Sequence, residues 1–250
     1  MSPDDSRRVL ITGGASGLGA ALATACRERG DRVVTADING GDLHLDVRSQ
    51  DDWDAAVAWV AENWGGLDVL INNAGVAGGG RVDVADLDEW QWMFEINVFG
   101  VARGTRAFAP MMKQQGSGQI INVASLAGLV HPAGMGSYNA AKAAVVAFTE
   151  TTGHELAAYG ITAHAVCPSY FQTNLIAGAQ GRDTAVRDII GALVHGSPWT
   201  ADDIAAATLN AVDEGVELIL PDPASRDAYA LKTGDRSTYD VVMRKQAAKL

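Results

Sequence analysis

Three side chains with complementary chemistry lie within residues 125–142: the hydroxyl of Ser125, the phenol of Tyr138 and the ammonium of Lys142. Tyr138 and Lys142 are four positions apart, so on a helix they share one face, one turn from each other. A free tyrosine has a pKa of about 10, and bringing it within two or three units of neutrality requires about 3–4 kcal/mol of selective phenolate stabilisation. A neighbouring ammonium favours the phenolate. The spacing therefore indicates a tyrosine that moves a proton, with Ser125 hydrogen-bonding the same substrate oxygen.

Tyrosine and lysine at this spacing also occur on helices with no catalytic role, so the interpretation depends on the motifs upstream. A short apolar run at residues 9–11 leads into TGGASGLG, with Gly13, Gly17 and Gly19, and an alanine-rich helical pattern follows to Arg29. A buried strand that opens through glycines onto a helix presents free backbone N–H groups at a positive helix end, which suits a pyrophosphate. The spacing is G-x-x-x-G-x-G rather than the commoner G-x-G-x-x-G. A glycine-rich tight turn is the alternative interpretation.

The next apolar run, residues 32–36, predicts a second strand that ends at Asp37. A carboxylate at this strand end can accept hydrogen bonds from the ribose hydroxyls of adenosine, and it would repel a 2′-phosphate. No Arg or Lys lies in the glycine turn or directly after Asp37 to offset that repulsion. The pattern favours NAD over NADP, although an ordinary loop aspartate would look the same.

Composition limits the classes of protein to consider. The chain has 250 residues, 48% of them hydrophobic, and a formal net charge of −11, which argues against a nucleic-acid partner. No apolar run approaches the ~20 residues of a membrane span, and no secretory leader opens the chain. The two cysteines, Cys26 and Cys167, have no spacing typical of a metal site or a disulfide framework. We therefore expect a cytoplasmic protein without a metal and without a membrane partner.

Strand and helix patterns alternate along the chain and predict an α/β fold. The fold class expected is a doubly wound, Rossmann-like open parallel sheet of about seven strands, with helices on both faces. The third strand, residues 43–45, follows the second after only about five residues, so either a tight loop replaces the crossover helix or this strand is misassigned. One long helix is expected over residues 88–114. A single domain over 1–250 is predicted, with a substrate-loop insertion near 169–197 and a C-terminal extension at 224–250.

Together these motifs resemble those of the short-chain dehydrogenase/reductase family in its compact single-domain form. TGGASGLG, Asp37, NNAG at residues 72–75, Asn97, Ser125 and YNAAK at 138–142 occur in the family's order and at its spacings. The resemblance covers about residues 9–220. It implies a Rossmann-like fold, a nicotinamide cofactor, and a hydride exchanged with an alcohol or carbonyl carbon.

The resemblance also implies roles for individual residues. The catalytic set would be Ser125, Tyr138 and Lys142, with Asn97 holding a water against the lysine. Lys142 would also lower the pKa of Tyr138 and, with Tyr138, contact the cofactor. Asp37 would anchor the adenosine ribose, Asp46 and Val47 would contact the adenine, and the remaining cofactor-binding residues would be Gly13, Ser16, Gly17, Leu18, Gly19, Asn73, Ala74, Gly75, Pro168 and Thr173.

Three features depart from the family pattern. Ser169 replaces the glycine that usually follows the proline at 168, the crossover after Asp37 is shortened, and a long tail replaces the usual C-terminal sequence. The first departure puts the path of the loop after residue 168 in doubt. The last puts the usual tetramer contact in doubt, so we expect a homodimer or a homotetramer.

The resulting functional hypothesis is an NAD-dependent oxidoreductase acting on a moderately hydrophobic secondary alcohol or ketone, with Tyr138 as general acid/base. Mostly apolar residues flank the catalytic set in sequence, namely Leu126, Val130, His131, Met135, Tyr170, Phe171 and Leu175. An NADPH-dependent carbonyl reductase is an alternative that Asp37 disfavours. A lyase or epimerase would need a longer substrate domain. A catalytically silent nucleotide sensor or scaffold is disfavoured by the intact Ser, Tyr and Lys set.

Overall fold

The computed structural model describes residues 6–173, 178 and 180–250 of the chain. The strands are β1 (Arg8–Thr12), β2 (Arg32–Asp37), β3 (Leu43–His44), β4 (Val69–Asn72), β5 (Gly118–Val123), β6 (Ile161–Val166) and β7 (Leu218–Ile219). The helices are α1 (Gly17–Glu28), α2 (Gln50–Trp64), α3 (Leu87–Phe94), α4 (Gly100–Gln115), α5 (Ala127–Val130), α6 (Gly136–Leu156), α7 (Thr184–His195), α8 (Ala201–Asp213), α9 (Pro223–Gly234) and α10 (Arg236–Ala247).

The seven strands form one parallel sheet in the order β3-β2-β1-β4-β5-β6-β7. The progression along the sheet reverses at β1, which pairs with β2 on one side and with β4 on the other. In open parallel sheets this switch point leaves a crevice at the carboxyl ends of the strands, where ligands bind. The predicted fold class is confirmed.

Helices cover both faces of the sheet because successive residues in the middle of its central strands are apolar and point to both faces. On one face, Leu22 of α1 and Ile204 of α8 pack against Val9 and Ile71. On the other, the side chains of α2 and α4 pack against Leu10 and Leu70, with Trp53 and Phe108 in edge-to-face contact. Strands buried on both sides are typical of a parallel sheet whose crossovers are helices. No helix in the described part of the chain has the length and apolar character that a membrane crossing requires.

The short third strand is real, and a tight loop replaces the crossover helix before it. Gly40 and Gly41 have positive φ angles of 95° and 89°, which turn the chain back within a few residues. The Asp42 carboxylate accepts hydrogen bonds from the backbone N–H and the hydroxyl of Thr35, at 2.9 and 2.8 Å. These bonds tie the loop to β2, so that Leu43–His44 can pair with it in parallel.

The helix expected over residues 88–114 is interrupted, and that expectation was wrong in this respect. It begins at Leu87, with the Asp86 side chain capping the N–H of Glu89, and it widens into a π-helical turn over Glu95–Phe99 before α4 continues. Turns of this kind occur within α-helices mainly at functional sites. Here the widened turn contains the fully buried Asn97.

The C-terminal extension forms two helices that fold back onto α5. Asp222 caps α9, in which Pro223 occupies the first turn, and Asp235 caps α10. The Tyr239 hydroxyl donates to the carbonyl of Val130, and the Lys232 ammonium donates to the carbonyl of Leu129. The extension therefore contributes to the region around the carboxyl ends of β5 and β6.

Candidate active site

Ser125, Tyr138 and Lys142 come together at the carboxyl end of β5. Ser125 follows this strand by two residues, and its hydroxyl accepts a hydrogen bond from the N–H of Ala127 at 3.1 Å and also bonds the Tyr138 phenol. Tyr138 and Lys142 share one face of α6, with the lysine Nζ 5.7 Å from the centre of the phenol ring. Gly128 allows α5 to pack closely against α6, because a Cβ on it would lie 2.5 Å from the backbone carbon of Lys142.

Burial controls the protonation of this group. It raises the pKa of Tyr138 to about 12, against the opposing effect of the Ser125 hydrogen bond. It lowers the pKa of Lys142 to about 8. The lysine Nζ donates to the carbonyl of Val123 at 2.9 Å rather than to the phenol. In the protein alone, desolvation of the phenolate therefore raises the Tyr138 pKa, in contrast to the lowering expected from Lys142.

Asn97 lies behind this group and braces the loop after β4. Its side-chain carbonyl accepts from the N–H of Val76, and its amide donates to the carbonyl of Val76, both at 2.9 Å. A Cβ on Gly75 would lie 2.8 Å from Asn97 Oδ1 and 3.6 Å from Lys142 Nζ, so the glycine separates the two side chains. The buried amide thus finds its partners in backbone. Its proposed role of holding a water stays a prediction.

The glycine turn packs against the end of β4. Gly13 has a φ of 63°, and a Cβ on it would lie 2.8 Å from the Cα of Ala74. A Cβ on Gly19 would lie 2.1 Å from the carbonyl oxygen of Gly13. The Asn73 amide donates to the carbonyls of Thr12 and Gly13, at 2.9 and 3.1 Å. The turn is therefore a bare backbone cradle at the N-terminus of α1, which suits an anionic group.

Asp37 lies at the opposite end of the same crevice. Its carboxylate accepts from the N–H of Ala15 at 3.1 Å and from the N–H of Asn39 at 3.0 Å, so it is fixed between the glycine turn and the loop after β2. Arg48 also lines this end, and the sequence analysis did not single it out. The short crossover brings it near Asp37, while Asp46 holds its guanidinium through contacts as short as 2.6 Å.

One cavity of about 1370 Å³ connects the two ends. Gly19 and Asn97 lie behind its wall, and the other predicted site residues line it, namely Gly13, Ser16, Gly17, Leu18, Asp37, Asp46, Val47, Asn73, Ala74, Gly75, Ser125, Tyr138, Lys142, Pro168 and Thr173. Thr173 reaches across to the glycine turn, because a Cβ on Gly17 would lie 3.2 Å from its hydroxyl. The predicted set is thus gathered around a single space.

The loop after β6 takes a defined path despite the serine at position 169. The N–H of Ser169 donates to the buried carboxylate of Asp222 at 2.9 Å. That carboxylate also caps α9, so one side chain fixes both the loop and the start of the C-terminal extension. Cys167, which precedes the loop, is fully buried, and desolvation raises the pKa of its thiol to about 12.

The far end of the cavity is mostly apolar. Val186, Ile190 and Val194 on one face of α7 form one wall, and their spacing of four residues was a helical signal in the sequence. Other lining residues were not foreseen: Trp92, Ala228, Met243 and Leu250. His131 is absent from the wall, since its ring contacts the carbonyl of Gly128 and the ammonium of Lys232. Leu175 lies outside the described residues. Within the described ranges, no cluster of three His, Cys, Asp or Glu side chains could hold a metal.

Comparison with known proteins identifies the family. The family model described as short chain dehydrogenase matches residues 7–182. The chain belongs to the short-chain dehydrogenase family. Its members are oxidoreductases of CH–OH groups that use a nicotinamide cofactor, and the predicted resemblance is confirmed.

Individual relatives support the same assignment. The chain is 37% identical, over 72% of its length and 81% of the relative's, to trans-4-hydroxycyclohexanecarboxylate dehydrogenase of Sinomonas cyclohexanicum. It is 32% identical, over 88% and 94% respectively, to cyclopentanol dehydrogenase of a Comamonas species. A short-chain dehydrogenase/reductase from Burkholderia phymatum, solved in complex with NAD, superposes with a TM-score of 0.86 at 31% identity. That superposition covers 95% of this chain and 96% of the other.

The residues present fit a dinucleotide. Ser16, Gly17 and Leu18 of the glycine turn line the cavity, while Gly13 and Gly19 let the turn pack closely against the residues after β4, since a Cβ on either glycine would clash there. The cavity that starts at Asp37 passes this cradle and reaches the Tyr138 phenol. A molecule with a ribose at one end and a reactive ring at the other matches the order of these groups.

Proposed function

We propose that this short-chain dehydrogenase is an NAD-dependent enzyme that interconverts apolar secondary alcohols and ketones, with Tyr138 as general acid/base. The observation that carries the proposal is the single cavity in which Asp37 lies at one end and Ser125, Tyr138 and Lys142 lie at the other. This arrangement offers a ribose acceptor, a phosphate cradle and a proton-transfer group in the order that a dinucleotide and an alcohol require.

The proton chemistry follows from the side chains. In alcohol oxidation, the Tyr138 phenolate takes the hydroxyl proton while Ser125 orients the substrate oxygen; in ketone reduction, the neutral phenol returns that proton. The nicotinamide, when bound, supplies the hydride acceptor or donor, and in its oxidised form a positive charge. Because the Tyr138 pKa is about 12 in the protein alone, the phenol is neutral at pH 7 and ready to donate. The Lys142 ammonium would hold the nicotinamide ribose.

NAD preference rests on Asp37. Its carboxylate is held by the N–H groups of Ala15 and Asn39 and carries a charge that a 2′-phosphate would meet directly. Arg48 is the one observation that favours the NADPH-dependent alternative, because it lines the same end of the cavity. Its guanidinium is already engaged by Asp46, so binding a 2′-phosphate would break that pair. The NAD complex of the Burkholderia phymatum relative supports the first choice.

The proposed substrate is a cyclic or otherwise compact apolar secondary alcohol. Its ring would contact the apolar wall formed by Met135, Tyr170, Val186, Ile190 and Leu250. Two relatives are named for cyclic secondary alcohols, a hydroxycyclohexanecarboxylate and cyclopentanol. A single-domain chain, a cytoplasmic location and a homodimeric or homotetrameric assembly stay predictions.

The decisive experiment compares the wild type with Tyr138→Phe. Purified protein with NAD and cyclopentanol or cyclohexanol should show the rise in absorbance at 340 nm that reports reduced nicotinamide, faster with NAD than with NADP. Tyr138→Phe should lower kcat by about 10²–10⁴-fold because it removes the proton acceptor. NAD affinity, measured by calorimetry, should change by less than about threefold.

Tyr159→Phe is the matched control. Tyr159 lies on the surface just after the end of α6, so this substitution should leave kcat unchanged. Normal turnover by Tyr138→Phe would contradict the proposed role of the phenol. A wild type that is faster with NADP would contradict the role of Asp37. A wild type that binds NAD but turns over no alcohol or ketone would favour the silent nucleotide sensor.

A further inference from the structure

Arg81, in the loop between β4 and α3, joins three separate parts of the chain. Its Nε and Nη2 donate to the two carboxylate oxygens of Asp183 at 2.7 and 3.1 Å, and its backbone N–H donates to the same carboxylate at 3.0 Å. Its Nη1 donates to the carbonyl oxygen of Leu250 at 3.1 Å. One guanidinium thus holds the start of α7 and the segment after α10 at the same time.

Asp183 is a fixed partner rather than a mobile surface group. Its side chain is only 1% exposed, and it also accepts from the N–H of Val186 as the N-cap of α7. The Arg81 guanidinium and backbone N–H hold the pKa of this carboxyl at about 2, so the pair stays charged throughout the neutral range. An isolated surface ion pair contributes little. The buried Asp183 carboxylate, in contrast, would lose its charged partner with the Arg81 side chain and keep only the N–H groups of residue 81 and Val186 as donors.

The two parts that Arg81 joins are neighbouring parts of the wall at the apolar end of the cavity. Val186 on α7 and Leu250 after α10 both line it, and they meet over Gly134, where a Cβ would lie 3.1 Å from Val186 and 3.0 Å from Leu250. An isolated parallel bridge between Gly78 and Gln180 brings the Arg81 loop alongside the segment that leads into α7. The Arg81 contacts therefore fix how these two parts of the wall lie against each other.

We propose that Arg81 is a positioning residue for substrate binding, which holds α7 and the C-terminal segment in one arrangement and so sets the size of alcohol that the cavity accepts. This inference rests on the proposed function of the site. Among the described residues, Arg81 bonds Asp183 and Leu250 and neither the Tyr138 group nor the glycine cradle, so its effect should fall on the alcohol and not on NAD or on proton transfer.

The test compares Arg81→Gln with the wild type in kinetics and in hydrogen exchange. Arg81→Gln should raise the KM of the alcohol by about tenfold while kcat and the NAD affinity change by less than about threefold. The kcat/KM ratio between cyclopentanol and cyclododecanol should shift by at least about threefold, because α7 and the segment after α10 would no longer be held in one arrangement. Arg81→Lys should recover only part of the effect, since one ammonium cannot bridge both partners.

Hydrogen exchange tests the coupling without any need for activity. In Arg81→Gln, backbone exchange should rise in both residues 184–195 and residues 247–250. Asp183→Asn removes the charge from one partner alone, and it should raise exchange in both segments as well if Arg81 links them. Arg7→Gln is the matched control: Arg7 and Asp31 form a bidentate pair of similar exposure, 34% and 4%, at the start of β1 and β2.

Each outcome bears on the proposal. A rise in exchange confined to one segment, or equal in the Arg7→Gln control, would overturn the coupling. An unchanged KM and unchanged size selectivity would overturn the positioning role even if exchange rises. A wild type without alcohol turnover would refute the proposed function, while the exchange measurements would still decide whether Arg81 joins the two parts of the wall.

Discussion

The two ends of the cavity are built in different ways. At the end that fits the dinucleotide, the wall is backbone: glycines without room for a Cβ, strand ends, and N–H groups at the start of a helix. At the apolar end, the wall consists of side chains from helices joined by contacts between residues more than a hundred positions apart, such as Arg81 with Asp183 and Tyr239 with Val130. The first end depends on steric exclusion along short stretches of chain, and the second on long-range side-chain contacts.

The family match follows the same division. It ends at residue 182, directly before Asp183, so the α7 face and the C-terminal helices lie beyond it. The family model therefore covers the glycine cradle and the group of Ser125, Tyr138 and Lys142, although individual relatives align over more of the chain. Substrate preference has to be derived from this chain's own residues at the other end.

The largest effect should follow from adding one methyl group at the dinucleotide end of the cavity, where the wall is backbone. In Gly19→Ala the new Cβ would lie 2.1 Å from the Gly13 carbonyl oxygen and 2.5 Å from the Asn73 amide, and no side-chain rotation relieves a clash with backbone. Overpacking of this kind costs about 1–3 kcal/mol of stability. The displaced cradle should weaken NAD binding by about a hundredfold in calorimetry, which is about 2.7 kcal/mol.

Gly153→Ala on α6 is the control, because its Cβ would meet only ordinary contact at 3.7 Å from Ala163. This variant should retain NAD affinity. If Gly19→Ala bound NAD as tightly as Gly153→Ala, the steric account of this end of the cavity would be refuted.

A smaller effect, of opposite sign, should come from Lys142. Burial lowers its pKa from 10.5 to about 8, so the folded protein holds the ammonium proton less tightly than the unfolded chain. At about 1.36 kcal/mol per pKa unit, this difference destabilises the fold by about 3 kcal/mol below pH 8, and the penalty vanishes as the pH rises through 10.5. Lys142→Met should remove the penalty but leave the Val123 carbonyl without this donor, at a cost of about 1 kcal/mol.

Urea unfolding at pH 7 should therefore show Lys142→Met to be more stable than the wild type by about 2 kcal/mol, although inactive. At pH 10 the gain should disappear, because most of the penalty is already gone. The exposed Lys245→Met should show neither effect. A destabilised Lys142→Met at pH 7 would mean that the lysine supports the fold, and it would contradict the predicted cost of burying the ammonium.

The smallest effect should follow from removing a single contact at the apolar end of the cavity. Tyr239→Phe removes the hydroxyl that donates to the Val130 carbonyl and should cost about 1 kcal/mol in urea unfolding. Since this contact joins α10 to α5, the KM of the alcohol should rise slightly while NAD affinity stays the same. The exposed Tyr159→Phe serves as the control. A loss of NAD affinity in Tyr239→Phe would show that the two ends are not independent.

The sequence was sufficient for the fold and for the residues around the glycine turn and Tyr138, because the motifs concerned are local. A strand followed by glycines, or a tyrosine and a lysine one helical turn apart, fixes its own geometry within a few residues. The N-caps Asp86 and Thr200 are equally local, since each side chain accepts from an N–H three residues further on. The short third strand could be suspected from its alternation, but only the Asp42 contacts with Thr35 explain how the chain reverses there.

The π-helical turn carried a signal that was overlooked. The buried positions Glu89, Met93, Asn97, Val101 and Thr105 recur at intervals of four residues. An α-helix turns every 3.6 residues, so a strict interval of four would drift off the buried face unless one turn were wider. The widened turn at Glu95–Phe99 corrects the drift and keeps Asn97 inside.

The positions of the residues at the apolar end of the cavity could not be predicted from local sequence patterns. Arg81 and Tyr239 of α10 acquire their positions from partners elsewhere in the chain, and no spacing within their own segments indicates those partners. The pKa of Tyr138 is a further example. The Tyr–Lys spacing correctly indicates that the two side chains lie close together. It carries no information on how deeply the phenol is buried, and desolvation has the largest effect on its pKa.

The burial of both cysteines has a practical consequence. Cys167 lies behind the proton-transfer group and Cys26 lies in the core beside α8, and desolvation raises their thiol pKa values to about 12 and about 11. Since oxidants and alkylating reagents attack the exposed thiolate, neither sulfur is a target while the chain is folded. The native protein should thus tolerate handling in air without added reductant, and any modified sulfur in an aged sample would mark molecules that had opened.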